Sequence, residues 1–208
     1  MDIQMSTMDG LEATRQINAT LADLVDVARH EEVRQRLLAI IVQATGYSYA
    51  VQAEMELDGQ HMRVTSVYLP PLLSTTIEKL LGFSIIGYRF ENVPSVALQT
   101  PPTEVFARLI DWRPDIFSRA MGTAIETLIG LRRIVSIRLH TGEHYLGAAN
   151  FFATSASADL ILLEYLCNNH LVYALRLIHE QSVRAQLQAL RTAELEREIQ
   201  ERKQLEEA

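Results

Sequence analysis

The stretch that decides the fold is IVSIRLHTGEHYLGAANFF, residues 134–152. It contains two apolar runs, 134–139 and 145–152, and between them a short polar segment around Thr141-Gly142. A turn signal between two strand-forming runs is typical of a β-hairpin. We therefore predict two antiparallel strands here and interpret the rest of the chain around them.

A second hairpin is predicted upstream of the first. Apolar and polar side chains alternate along residues 49–57, as they do in a strand with one buried and one solvated face. Asp58-Gly59 is a strong hairpin turn signal, and 62–69 is the partner strand. Pro70-Pro71 ends that strand, because proline cannot donate a hydrogen bond to a sheet.

Less regular sequence lies between the two hairpins. We predict a short helix over 74–81 that ends at Gly82, followed by a short strand over 83–90. A proline-punctuated, irregular stretch is expected over 92–114, and a further helix over 115–128.

The chain before residue 49 has the pattern of helices. Apolar residues recur there at helical spacing, with a break near Arg29–His30, and Gly46 ends the second helix. The spaced residues are Ile17, Leu21, Leu24, Ala28, Val33, Leu37, Ile40, Ile41 and Ala44. The element order predicts an α+β fold, an antiparallel sheet flanked by helices. That order is helices, a hairpin, a helix with an irregular insert, a second hairpin and a final helix.

The last fifty residues are predicted to form one long helix. Residues 159–208 contain no Gly or Pro, Ser157 is placed to cap the helix, and Asp159 falls in its first turn. Such a helix is about 75 Å long, which exceeds what one domain of this size covers. After Ser182 the apolar positions thin to a narrow seam that favours a coiled coil with a second chain. The seam comprises Leu187, Leu190, Leu195, Ile199 and Leu205.

Composition narrows the class of protein. Of the 208 residues, 48% are hydrophobic, which suffices for a core, and the net charge of −7 argues against binding nucleic acid or an anionic membrane. The single cysteine, Cys167, excludes an internal disulfide. Because the sequence has no long apolar run and no signal-peptide pattern, we expect a cytoplasmic chain without membrane insertion.

Residues 33–178 resemble the GAF family of small-molecule sensor and dimerisation domains. The segments that carry the resemblance are Ala44-Thr45-Gly46-Tyr47, Asp58-Gly59, 134–139, Gly142, Tyr145-Leu146-Gly147-Ala148 and Leu166 to Ala174. The resemblance implies a dimeric sensor with a ligand pocket between its sheet and its irregular insert.

Two shorter segments resemble parts of two-component signalling proteins. Residues 1–14, MDIQMSTMDGLEAT, are similar to the phosphoacceptor segment of a response-regulator receiver domain, with Asp2 at the phosphorylated position and Ser6 in place of the usual proline. The acidic pair, hydroxyl and lysine of a receiver are missing, so we interpret the segment as an inactive remnant. Residues 191–203, RTAELEREIQERK, resemble the linker helix that precedes a further sensor domain or a histidine kinase core.

These resemblances divide the chain into four parts. We predict a receiver remnant over 1–17, a linker helix over 18–32, the sensor domain over 33–180 and a coiled-coil linker over 181–208. The terminal helices are expected to form a homodimer, and the partner of the last helix is expected to be a kinase or other output domain.

The expected ligand site lies in the insert, over 87–128. Six of its side chains are aromatic, arginine or methionine. Stacking on the rings and charge-assisted hydrogen bonds from the arginines suit a planar anionic ligand of unknown identity. They are Tyr88, Arg89, Trp112, Arg113, Phe117 and Met121. In the alternative, Trp112 and Phe117 fill the pocket as core.

We expect no catalysis by this chain. Cys167 has no second thiol to work with, and His140 and His144 with Glu143 make a poor metal site across a turn. The predicted function is that of a bacterial sensory domain that binds a small molecule, dimerises, or does both, and regulates a missing output domain such as a histidine kinase. The alternative is a ligand-free structural dimerisation module.

Overall fold

The strands form one antiparallel sheet in a computed structural model that describes residues 9–25, 29–91, 102–142 and 144–206. In chain order they are β1 (Tyr49–Met55), β2 (His61–Tyr68), β3 (Arg89–Glu91), β4 (Thr103–Phe106), β5 (Arg133–Thr141) and β6 (His144–Ala153). Their order across the sheet is β3-β2-β1-β6-β5-β4. The predicted α+β class is confirmed, and both hairpins form where they were expected.

Helices cover both faces of the sheet. They are α1 (Gly10–Leu21), α2 (His30–Thr45), α3 (Pro71–Leu81), α4 (Leu109–Trp112), α5 (Arg119–Ile129), α6 (Leu160–Leu166) and α7 (Val172–Glu206). Buried side chains of α1, α2, α6 and α7 share one apolar cluster with one face of the sheet. Those of α3, α4 and α5 share a second cluster with the other face.

The first cluster is the larger core. Leu37 and Ile41 of α2, Leu163 of α6, and Ile137 and Phe151 of the sheet have no exposed surface. Each such side chain contributes about 1.5–3 kcal/mol when it leaves water. In β5, Val135, Ile137 and Leu139 point into this cluster, while Ile134 belongs to the cluster on the opposite face.

Two expectations for the stretch between the hairpins were wrong. The predicted strand over 83–90 is strand only at Arg89–Glu91, because a turn precedes it in which the Tyr88 N–H bonds the Ile85 carbonyl at 3.2 Å. The stretch expected to be irregular contains β4 and α4. A four-residue strand such as β4 depends on its partner β5, which is far away in sequence. Residues 92–101 lie outside the described residues.

Helix bounds in this region differ by a few residues from expectation. The helix predicted over 74–81 begins at Pro71, whose fixed φ and missing N–H suit the first turn. The helix predicted over 115–128 is α5, which begins after the capping hydroxyl of Ser118.

The C-terminal helix differs from its prediction in two ways. Its cap is Asp159, whose Oδ1 accepts a hydrogen bond from the Leu162 N–H at 3.0 Å, while the Ser157 hydroxyl bonds Ser155. It is also interrupted, because Cys167–Leu171 forms a π-helical turn between α6 and α7. The extra residue of that turn allows Leu166 and Leu171 both to be fully buried.

None of the helices in the described parts of the chain is long and apolar enough to cross a lipid bilayer.

Cys167 is expected to resist thiol reagents in the folded protein. Its side chain is fully buried, and burial raises the pKa of the thiol, so the reactive thiolate is scarce. We expect labelling by a disulfide reagent at neutral pH to be on the order of 100-fold slower than in urea. Because the sequence has a single cysteine, the signal has one source. Equal rates in the two conditions would contradict the burial of this side chain.

Candidate ligand-binding site

A cavity of about 110 Å³ lies between the sheet and helices α3, α4 and α5. Its floor is the face of the sheet opposite the larger core. The floor residues are Tyr49, Val51, Ala53, Val64, Asn150 and Phe152. The roof and walls are Leu69, Ile77, Leu81, Phe83, Ile85, Tyr88, Phe90, Leu109, Trp112, Arg113, Ile116, Phe117, Ile125 and Ile129. The lining is therefore almost wholly apolar.

Trp112, at the end of α4, is the largest side chain of the roof. Its ring packs edge-on against Phe152 of the floor, with centroids 5.4 Å apart, and stacks with Phe117 at 6.0 Å. Glu126 of α5 holds this short helix in place, because its Oε1 accepts the Leu109 N–H at 2.7 Å. Trp112 thus joins roof and floor at one end of the cavity.

A second aromatic group closes another side. The rings of Phe83 and Tyr88 stack with centroids 4.2 Å apart, and Tyr88 lies 6.2 Å from Phe90. Flat ring faces on several sides of a small cavity favour a planar apolar guest.

Arg113 lines the cavity but already has a charged partner. Its guanidinium carbon lies 4.3 Å from the centroid of the Phe90 ring, and its nitrogens donate to both carboxylate oxygens of Asp115, at 2.6 and 2.8 Å. These hydrogen bonds hold the pKa of Asp115 below its ordinary value. The positive charge is therefore matched within the chain.

The structure brings four of the six predicted residues together: Tyr88, Trp112, Arg113 and Phe117 line the cavity. Arg89 does not, because it follows Tyr88 in an extended segment and points to the other side, where it pairs with Glu56 and Asp58. Met121 also lies outside the lining and packs, partly buried, against the surrounding cluster. Arg89 and Met121 thus do not line this cavity, and the binding role of all six residues stays a prediction.

Asn150 is the polar residue of the floor that the sequence reasoning missed. It is 6% exposed. Its amide nitrogen donates to the Val51 carbonyl at 3.4 Å, while its Oδ1 is buried without a partner. The available signal was a single Asn inside the apolar run Ala148 to Phe152.

An acidic group outside the cavity is occupied by arginines. Ligand atoms of Glu56, Asp58 and His61 lie within 4.8 Å of one another. Glu56 pairs with Arg63 and Arg89, and Asp58 pairs with Arg89. The backbone N–H of Gln60 and the His61 side chain lower the pKa of Asp58 to about 2. We interpret this group as an ion-pair network that ties β3 to the β1–β2 hairpin.

The predicted phosphoacceptor remnant and the histidine pair of the last hairpin do not form a site among the described residues. Asp2 and Glu143 lie outside the described residues, and His140 and His144 are exposed. Asp9 caps α1 by accepting the Glu12 N–H at 2.7 Å, and Ala13 and Ile17 of α1 are fully buried in the same cluster as α2. The four-part division of the chain stays a prediction.

Tyr145 gives the protein a specific sensitivity to high pH. Its hydroxyl donates to the Met62 sulfur at 3.7 Å, and burial raises the pKa of Tyr145 to about 12. The unfolded chain loses this proton near pH 10, so its contribution to stability is complete below about pH 10 and is lost as pH rises towards 12. Between about pH 9 and pH 11.5 we expect wild type to lose ~1–2 kcal/mol more stability than Tyr145→Phe. Urea denaturation at the two pH values measures this, and parallel losses would contradict it.

Comparisons with known proteins bear on the fold. A scan against protein-family models finds no match, and a search of curated proteins finds none. Among solved structures, the phycoerythrobilin-bound GAF domain from a cyanobacterial phytochrome is 12% identical with a TM-score of 0.55, and the match covers 84% of this chain and 98% of that one.

Two structures from R. palustris are also similar. A bacteriophytochrome of this photosynthetic bacterium is 10% identical with a TM-score of 0.52, covering 86% of this chain and 40% of that one. The chromophore-binding domain of an unusual bacteriophytochrome is 16% identical with a TM-score of 0.49, covering 83% of this chain and 62% of that one. Both structures are of the same bacteriophytochrome, and the chain spans only part of each. It has the fold of the GAF domain of the cyanobacterial phytochrome.

Proposed function

We propose that this chain is a non-catalytic sensory GAF domain of a bacterial, cytoplasmic signalling protein, which binds a small molecule and passes its state through α7 to an output domain such as a histidine kinase. The apolar cavity of about 110 Å³ between the sheet and helices α3, α4 and α5 carries this proposal. A side-chain core is normally packed without voids of this size. A concave apolar site with one convergent polar group is the usual form of a ligand pocket.

The sheet offers a direct physical route from the cavity to α7. Phe152 of β6 lines the cavity, while its neighbour Phe151 is fully buried in the cluster on the opposite face. That cluster includes Leu171 of the π turn and Leu175 of α7, and α7 contacts β5 and β6. A guest that shifts β6 therefore acts on the packing of the helix that leaves the domain.

The distal half of α7 supports the dimer. Every described side chain from Arg184 to Gln204 is exposed, so this half has no packing partner within the described parts of the chain. Leu187, Leu190, Leu195 and Ile199 are 52–68% exposed. A helix gains most of its stability from packing an apolar face, and the occupant we propose is α7 of a second copy.

The structural alternative also has an observation in its favour. The cavity is smaller than the roughly 300–1,000 Å³ typical of ligand pockets, and Trp112 already packs on Phe117 and Phe152. A dimerisation module without a ligand explains a nearly filled core.

Fluorescence of Trp112, the single tryptophan, distinguishes the two functions. We expect one or more members of a panel of small aromatic compounds, nucleotides and tetrapyrroles to change its emission in the full chain. The matched control is Val51→Phe, which fills the cavity from the floor and should abolish the response while retaining the fold. A silent panel, with Val51→Phe only raising Tm, would favour the structural module.

Light scattering tests the dimer. At tens of micromolar we expect a mass of twice 23.5 kDa. Leu187→Glu with Leu190→Glu should shift it towards one chain, because charge in the seam repels across the pair. Gln188→Glu, an exposed control on the same helix, should leave it unchanged. A single-chain mass for wild type would refute this part of the proposal.

A further inference from the structure

We propose that Asn150 selects the ligand, and that the ligand is a small, neutral, planar molecule of the phenol class that donates one hydrogen bond to Asn150 Oδ1. This inference rests on the proposed function, since it names what the same cavity binds.

The first step concerns the orientation of the Asn150 amide. The Val51 backbone carbonyl can only accept a hydrogen bond, so it fixes the amide nitrogen towards itself, at 3.4 Å. The atom left over is Oδ1, an acceptor. A buried acceptor without a partner costs ~1–3 kcal/mol, and a donor in the cavity would remove that cost.

The second step separates Asn150 from the other unsatisfied polar groups. In the described parts of the chain, the other buried side-chain atoms without a partner are on Tyr47, Gln52, Ser66, Arg133 and His170. None of these residues lines the cavity. Asn150 is therefore the described lining residue with an unsatisfied buried acceptor, and a guest reaches its Oδ1 when the side chains that cover this atom shift slightly.

The third step excludes a charged guest, and thereby revises the anionic ligand expected from the sequence. Among the described residues, the basic side chain of the lining is Arg113, which is held by both carboxylate oxygens of Asp115. A carboxylate or phosphate would lose its hydration without gaining a free cation, which is costly in an apolar site.

The fourth step sets the size. The cavity of about 110 Å³ approaches the roughly 150 Å³ of an engineered apolar cavity that binds benzene. One aromatic ring is therefore the appropriate scale, with small shifts of the lining. The faces of Trp112, Tyr88 and Phe152 suit a flat ring.

Phenol and toluene provide the test, because they differ by one hydroxyl in place of a methyl group. The Trp112 indole N–H signal is followed by NMR while each is added to the full chain and to Asn150→Leu, which has similar volume and no acceptor. We expect the preference for phenol over toluene to be about tenfold greater in wild type than in Asn150→Leu. Anisole, whose oxygen cannot donate, should bind wild type like toluene, which tests the bond without any substitution.

The possible results distinguish a failure of the Asn150 role from a failure of the proposed ligand-binding function. Equal preferences in wild type and Asn150→Leu, or anisole binding as well as phenol, would overturn the role of Asn150 and leave the cavity a binding site. Tighter binding of benzoate than of phenol would overturn the neutral class. Failure of phenol, toluene and the wider panel alike would overturn the proposed function itself. If Asn150→Leu does not fold, Asn150→Val serves as the second variant.

Discussion

Gly147→Ala is expected to lower the free energy of unfolding by about 3 kcal/mol or more. Gly147 lies in β6 with φ at 148°, a conformation that residues with a Cβ rarely adopt. A Cβ there would be 2.2 Å from the Ala53 carbonyl oxygen and 2.9 Å from the Glu54 Cα. Both atoms belong to the backbone of β1, so the clash is relieved only by moving apart two adjacent central strands.

Urea denaturation measures this loss, with Gly142→Ala as the matched control in the same hairpin. Gly142 also has positive φ, at 57°, but a Cβ there meets nothing within 4 Å. Only backbone strain then opposes the alanine, at a cost of ~1–2 kcal/mol. Similar losses for the two variants would mean that β6 does not approach β1 as closely as described.

Glu54→Leu has the second large expected effect, a loss of about 3 kcal/mol. Arg34 of α2 donates two hydrogen bonds to the Glu54 carboxylate, and the two side chains are only 17% and 16% exposed. Gln52 and Thr65 also donate to the same carboxylate. Removal of Glu54 leaves a mostly buried guanidinium without its counter-charge, which is more costly than the loss of an exposed pair.

A double variant tests that explanation. Arg34→Met with Glu54→Leu replaces the pair by apolar groups and should recover most of the stability lost in Glu54→Leu. Arg197→Ala breaks the exposed Arg197–Glu201 pair on α7 and should cost less than ~0.5 kcal/mol. If the double variant were less stable than Glu54→Leu, the loss would come from packing rather than from an unpaired charge.

The parts of the fold that the sequence predicted are those with local causes. Asp58-Gly59 and Thr141-Gly142 define hairpins because their turn conformation and the flanking alternation lie within a few residues. β4 was missed since its four residues form a strand through pairing with β5, about thirty residues later. The π turn was missed for the same reason: the demand for it comes from the core, where Leu166 and Leu171 are both buried.

The candidate site was half predicted for a related reason. Trp112 and Phe117 stand out by composition, but the choice between Tyr88 and Arg89 depends on which side of an extended segment faces inward. Because the predicted strand over 83–90 was too long, it did not show which of these two neighbouring side chains faces the cavity. Asn150 lies in an apolar run of β6 that is buried on both faces, so the sequence pattern does not show which face its side chain joins.

The π turn at Cys167–Leu171 has a consequence for the far end of α7. One additional residue in a helix changes the angular position of everything that follows by about 100°. The azimuth at which Leu187 and Leu190 leave the domain is therefore determined at Cys167–Leu171, next to the core and about twenty residues upstream. A single-residue deletion in the π turn would rotate the apolar seam by more than a quarter of a turn, although every residue of the seam would remain the same.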